Sequence, residues 1–243
     1  MRRPFLTARW ESLLLLNYDC PVELLQPLVP AGTELDLWQE RHIVSLVGFR
    51  FLDTRVKGIP IPGHRDFTEV NLRFYVRRQV PGGEVRRAVV FVREVVPRAA
   101  IVWTARLLYN EPYSRASMTH DVQLHSESGG SVRYDWSVGR ETHRLEARAA
   151  GPASPLAVGS EAEFITEHYW GYTRRRDGRT LEYRVRHPAW KVWDGLDGGY
   201  EASKGANLYG HGFARVLSGR PRSCFIAVGS QVEVYPGRVA SAV

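Results

Sequence analysis

Between Glu69 and Val76 the chain alternates strictly. Val70, Leu72, Phe74 and Val76 are apolar, whereas Glu69, Asn71, Arg73 and Tyr75 carry polar groups. Successive side chains of an extended strand point to opposite faces, so this pattern commits the segment to a β-strand with two chemically different sides. Residues 88–92 are apolar on both faces, as in a central strand, and the Pro81-Gly82-Gly83 turn pairs them with the preceding strand as a hairpin. Ser128-Gly129-Gly130-Ser131 supplies the next turn. Val132, Tyr134, Trp136 and Val138 then alternate with Arg133, Asp135 and Ser137, and a further strand follows from Thr142. The Asp177-Gly178 pair predicts a hairpin with arms over 163–173 and 180–187, and short strands fill the C-terminus. Two helices interrupt this pattern. One starts at Pro21, with Val22, Leu24, Leu25 and Leu28 as its stripe before Pro30; the other covers about 98–108. The expected fold class is mainly β (α+β), mostly antiparallel, with two or three short helices.

A chain of 243 residues with 44% apolar and 24% charged residues has an ordinary globular composition and the length of one large β domain, expected to span residues 1–243. Gly151-Pro152-Ala153-Ser154-Pro155 reads as a joint between halves of that domain. The apolar run at residues 13–16 is far short of the roughly 20 residues that cross a bilayer. Met1-Arg2-Arg3 is not followed by the apolar stretch of a secretory leader, so the expectation is a cytoplasmic protein without membrane contact. Cys20 and Cys224 have no metal or redox spacing and read as buried thiols in a reducing compartment.

The formal charge of +7 attracts anions without saying which. Nearly all basic residues are arginine; lysine occurs only at Lys57, Lys191 and Lys204. Arg77-Arg78, Arg86-Arg87 and Arg174-Arg175-Arg176 flank predicted turns, where they form either a phosphate-binding face or a solvated rim. No nucleic-acid motif accompanies them, so nucleic acid is the less favoured partner. His120 and His125 point to opposite faces of one strand, and no paired-Cys, His-x-His or HExxH spacing occurs, so neither a metal nor a cofactor is expected. No nucleophile elbow, phosphate loop or dinucleotide fingerprint is present either.

Period two from Thr180 puts His187 on the face of Leu181, Tyr183 and Val185, pointing inward, as either a satisfied core histidine or a pocket acid or base with Trp190 as its wall. The row Glu69, Asn71, Arg73 and Tyr75 faces either solvent or the lumen of a barrel that encloses a ligand. Arg115, Ser117 and Thr119 form a second row with the same two readings.

Several segments resemble the YqjF-like (DUF2071) family in order and spacing. They are Leu25 to Pro30 with Gly32-Thr33-Glu34-Leu35, residues 67–76 (FTEVNLRFYV), residues 112–118 (PYSRASM), Phe164 to Tyr172, and His187-Pro188-Ala189-Trp190. A looser match covers 227–234. The family is similar to acetoacetate decarboxylase, and the resemblance implies a cone-shaped antiparallel β-barrel with a central pocket. In the decarboxylase a lysine pair beside a proline supports Schiff-base chemistry. Here Tyr113 and Ser114 follow Pro112, so that lysine pair is missing. Glu69 matches an acidic position of the decarboxylase strand, which tips its row toward the lumen.

The resulting expectation is a small-molecule pocket for a carboxylate or carbonyl compound. Glu69 and His187 handle protons, while Arg73, Tyr75, Tyr113, Arg115, Met118 and Trp190 bind or shape the ligand. If the protein is an enzyme, its chemistry is lyase-like or hydrolase-like acid/base catalysis without metal. The alternatives are a ligand-binding or sensing domain without catalysis and, behind it, a nucleic-acid module. Edge strands and exposed aromatics also allow a homodimer.

Overall fold

The computed structural model describes residues 3–97 and 112–240; the helix expected over 98–108 lies outside them. The first half builds β1 (Leu6–Asp19), β2 (Glu34–Leu35), β3 (Ile43–Val56), β4 (Ile59–Pro60), β5 (Phe67–Gln79) and β6 (Val85–Val96). After the undescribed stretch come β7 (Tyr113–Arg115), β8 (Ser117–His125), β9 (Gly129–Val138), β10 (Glu141–Ala150) and β11 (Ser154–Pro155). The last strands are β12 (Trp170–Arg174), β13 (Thr180–Arg186), β14 (Lys191–Asp194), β15 (Leu196–Ala202), β16 (Ser223–Val234) and β17 (Arg238–Val239). The helices are α1 (Val22–Leu25, continued by a 3-10 turn at Gln26–Leu28), α2 (Glu161–Thr166) and α3 (His211–Leu217).

The pairing of the larger sheet returns on itself. β16, β1, β3, β5, β6, β12 and β13 follow one another, and β13 pairs back to β16, so these strands form a ring. Most pairs are antiparallel; β6–β12 and β6–β7 are parallel. A second, four-stranded antiparallel sheet, β15-β10-β9-β8, packs on the outside of the ring.

This two-layer arrangement explains the alternation in β5. Val70, Leu72, Phe74 and Val76 pack outward against Val132, Tyr134, Trp136 and Leu145 of the second sheet. The polar row therefore faces the interior of the ring, where Tyr75 packs with Val47, Phe49 and Phe164. The apolar run 13–16 divides in the same way, with Leu14 and Leu16 in the outer core and Leu13 and Leu15 in the inner one. A strand buried on both faces reads as a continuous apolar run, and β1 is one.

Three irregularities change which side chains face inward. Register shifts in the β1–β3 pairing fall between Glu11 and Leu14 and between Thr7 and Arg9, and one in β5–β6 falls opposite Val92. An extra residue on one strand reverses the parity of everything beyond it. Hence Trp10 joins Leu13, Thr54 joins Phe51, and Glu94 joins Phe91 on the inner wall. Ser12 (φ 56°) and Asp53 (φ 49°) occupy the left-handed region at the first two. The Tyr134 hydroxyl donates to the Ser12 carbonyl at 2.7 Å. Gly229, at φ 88° beside the first bulge, has no room for a side chain, since a Cβ there would lie 2.0 Å from the Trp10 carbonyl oxygen.

Three expectations are corrected, and one row left open between solvent and lumen is resolved. Residues 163–166 are helical, because the Ser160 hydroxyl accepts from Glu163 N (3.1 Å) and the Glu163 carboxylate accepts from Gly159 N (2.6 Å), which caps α2. The turn before β9 occupies 126–128, and Gly129 and Gly130 belong to the strand. The C-terminus is not made of short strands only, since β16 runs for 12 residues in the ring and α3 precedes it. The row Arg115, Ser117 and Thr119 is exposed, because β7 and β8 turn those side chains away from both cores.

Candidate functional site

Inside the ring lies a cavity of about 240 Å³. Its polar end is built by β5. Glu69, 3% exposed, accepts hydrogen bonds from Asn71 Nδ2 (3.0 Å) and from the Tyr113 hydroxyl (3.2 Å). Burial raises its pKa to about 7, although Asn71, Tyr113 and the nearby Arg73 each pull it down. Burial and the adjacent Glu69 and Glu94 carboxylates push the Tyr113 hydroxyl well above the usual phenol range. Glu94, on the inward side of the β6 bulge, is also buried on this wall.

Arg73 reaches the same end. Its Nη2 donates to the Ile165 carbonyl at 3.3 Å, and its guanidinium lies 5.8 Å from the Tyr75 ring centre. Its Nε has no hydrogen-bond partner within the protein, and neither has Asn71 Oδ1. Tyr75 stands behind the cavity wall. Its hydroxyl donates to Ser45 Oγ (2.6 Å), which donates to Asn17 Oδ1 (2.6 Å), and this chain of bonds fixes the β5–β3–β1 floor.

His187, immediately after β13, is buried on the opposite wall. It stacks on Trp190 at 4.1 Å and 15°, with Tyr169 at 4.8 Å on another side. Its Nδ1 donates to the Pro188 carbonyl at 2.9 Å. Burial lowers its pKa from 6.5, so the ring is neutral at pH 7 and offers Nε2 as an acceptor. The Trp190 indole N–H is satisfied by Ser230 Oγ at 2.8 Å.

Glu69, Arg73, Tyr113, His187 and Trp190 thus share one cavity. Arg115 and Met118 do not line it. Arg115 is exposed on β7, and Met118 packs against the outer core between the sheets. Lys57, Lys191 and Lys204 are all exposed and outside the lining, although the turn that carries Lys57 leads to Ile61 and His64, which border the cavity. Among the described residues no three His, Cys, Asp or Glu side chains converge as metal ligands. Among the described residues no helix is long and apolar enough to cross a membrane.

Sequence reasoning missed His168, which lies between α2 and β12 where no periodicity marks an inward residue. Its Nε2 donates to Asp36 Oδ2 at 3.3 Å, and Arg87 Nε holds the same oxygen at 2.7 Å. Burial lowers the His168 pKa to about 4, which leaves a neutral ring whose Nδ1 is a buried, unpartnered acceptor in the cavity wall.

The arginine clusters are largely engaged within the fold. Arg78 and Arg86 meet Glu182, Arg87 meets Asp36, Arg77 meets Glu34, and Arg174 donates to the Pro27 and Val29 carbonyls.

The fold is similar to that of acetoacetate decarboxylase and related solved structures. The chain matches acetoacetate decarboxylase from Legionella pneumophila with a TM-score of 0.65 at 14% identity, over 98% of this chain and 87% of that one. The enduracididine biosynthesis enzyme MppR in complex with pyruvate matches with a TM-score of 0.67 at 14% identity, over 99% and 92%. The chain belongs to the DUF2071 family, described as an uncharacterized conserved protein, whose pattern spans residues 7–231. It is 27% identical over 186 residues to the uncharacterized protein YqjF of Bacillus subtilis strain 168, covering 74% of this chain and 72% of YqjF.

Proposed function

We propose that the cavity binds a small carboxylic acid bearing a carbonyl group and exchanges a proton with it through Glu69, without a lysine. The observation that carries this reading is a buried glutamate, pKa about 7, on the same strand and cavity wall as an arginine whose Nε is unpartnered. A carboxyl group poised near the working pH is available in both protonation states, as acid/base catalysis requires. Arg73 receives the ligand carboxylate and Asn71 orients the Glu69 oxygen. Glu69 then takes the proton from the carbon next to the carbonyl, the C–H electron pair moves toward the carbonyl oxygen, and return of a solvent proton completes an exchange. His187 and Trp190 hold the opposite wall. The complex of MppR with pyruvate supports this ligand class by fold likeness. The exposed positions of Lys57, Lys191 and Lys204 favour lysine-free chemistry.

The test incubates the protein with pyruvate or phenylpyruvate in D₂O at pH 7 and follows loss of the C3 proton signals by NMR, beside Glu69→Gln and Arg73→Gln. Exchange above the buffer rate, reduced at least ~100-fold in Glu69→Gln, is the expected result. Binding that needs Arg73 without exchange would make this a ligand-binding domain, and no binding would refute the reading. Borohydride treatment is expected to leave no adduct on any lysine.

A further inference from the structure

Strand pairing divides the cavity wall into levels. Asn71 lies opposite Glu94, Glu69 opposite Phe49, and Phe67 opposite Phe51, which in turn lies opposite Trp10. Among the described residues, the carboxylates and the arginine that line the cavity are Glu69, Glu94 and Arg73, and none stands further out than the Glu69–Phe49 level. The Glu69 carboxylate is held on the inner side of that level, by Asn71 and by Tyr113, which pairs beside Glu94. One step outward the wall becomes aromatic, with Phe51 and Phe67 stacked at 4.5 Å. At the outer level Leu6 lies opposite both Val56 and Val234, and Val234 opposite Val185; all four line the cavity.

The outer stretch is long. Between Phe49 and Val56, with one residue taken up by the bulge at Asp53, β3 advances roughly 20 Å at about 3.3 Å per residue. The strands of a closed ring tilt by about 35–45°, which leaves roughly 15 Å along the ring axis. An extended alkyl chain with bonds of about 1.52 Å advances about 1.25 Å per carbon, so this stretch takes about twelve carbons. Its far end is apolar as well. Ile61, 39% exposed, lines the cavity from the turn after β4, and Ile59 of the same segment is 64% exposed. A three-carbon acid held at Arg73 would leave the whole stretch empty.

We infer that the ligand is a long-chain oxo acid of about ten to fourteen carbons, its acid group inward and its hydrocarbon tail running outward from Glu69. The tail passes Phe49, Phe51 and Phe67 and ends at the rim formed by Leu6, Val56 and Ile61. This rests on the reading of the acid end given under Proposed function and adds the body of the ligand. The opposite orientation would set hydrocarbon against Arg73, Glu69 and Glu94 and bring the carboxylate to a level whose lining offers no cation, and both cost free energy.

Calorimetric titration with 2-oxobutanoate, 2-oxooctanoate and 2-oxododecanoate, each below the concentration at which it forms micelles, tests it. Each four-carbon extension is expected to tighten binding at least ~30-fold, because every added methylene leaves water for the apolar wall. Two variants at the rim, remote from the acid end, locate the tail. Val56→Trp narrows the rim and Ile61→Asp charges it; each is expected to weaken 2-oxododecanoate at least ~10-fold and to leave 2-oxobutanoate unchanged. Equal binding of the three acids, a gain that stops at 2-oxooctanoate, or a gain untouched in both folded rim variants would overturn the inference and leave the Arg73–Glu69 reading standing. Failure of all three acids to bind, or binding indifferent to Arg73→Gln, would remove the inference together with the reading beneath it.

Discussion

Glu69→Gln is expected to make the protein more stable at neutral and alkaline pH. The folded glutamate has a pKa of about 7 against an ordinary value of 4.5. Below pH 4.5 both folded and unfolded chains carry the proton and the group has no effect. As pH rises toward 7 the unfolded chain releases the proton while the folded one retains it, so stability falls through that window and levels off above it. The full loss is on the order of 3 kcal/mol. A glutamine has no proton to lose. Its carbonyl can still accept from Asn71, and its NH₂ can donate to the Tyr113 hydroxyl oxygen. Urea unfolding at pH 5 and pH 8 measures the effect. The wild type is expected to lose roughly 2–3 kcal/mol more than the variant between the two. Parallel pH dependence would mean that Glu69 titrates as an ordinary surface carboxylate.

Glu182→Gln is expected to act in the opposite direction, with a loss of about 3–5 kcal/mol. Glu182 is 3% exposed and lies among Arg86 Nη1 at 3.2 Å, Arg238 Nε at 2.7 Å and Arg78 Nη1 at 3.6 Å, with the Tyr172 hydroxyl at 3.3 Å. Arg78 is itself only 2% exposed. Neutralising the carboxylate leaves these cations around an amide that cannot balance them, and the cost is greatest for the arginine that has no access to water. The variant should show a lower urea midpoint at unchanged slope. A loss below about 1 kcal/mol would place the cluster with ordinary surface ion pairs.

The two glutamates show where the sequence was legible. Glu69 could be located because its strand alternates without interruption from Val70 to Val76, and the parity inferred there is the parity observed. The direction of the polar row was left open by the alternation, since a strand buried on both sides has no solvent face to orient it. Trp10, Thr54 and Glu94 were hidden for a different reason. Each lies beyond a bulge, and period-two reasoning carried across a bulge assigns every later residue to the wrong face.

His168 and Glu182 were hidden by long-range pairing. Asp36 and His168 are 132 positions apart, and Arg86 and Glu182 are 96 apart. Nothing local marks either contact, and Glu182 sits on the strand face also occupied by the exposed Arg184 and Arg186. The arginine clusters misled in the same way, because their carboxylate partners come from other strands. Arg115 and Met118 matched a family segment in sequence, yet only Tyr113 of that segment lines the cavity.

Proton uptake on binding tests the central claim most directly. An anion held by Arg73 close to Glu69 favours the protonated carboxyl, so a carboxylate ligand should bring a proton with it. Titration with phenylpyruvate at pH 7.5, in buffers of different ionisation heat, counts that proton. The wild type is expected to take up about half a proton per ligand bound, since a carboxyl of pKa about 7 lacks only about three-quarters of one at pH 7.5 and the fraction left as carboxylate acts as the base, and Glu69→Gln none. Binding without proton uptake in the wild type, or uptake that persists in Glu69→Gln, would contradict the account.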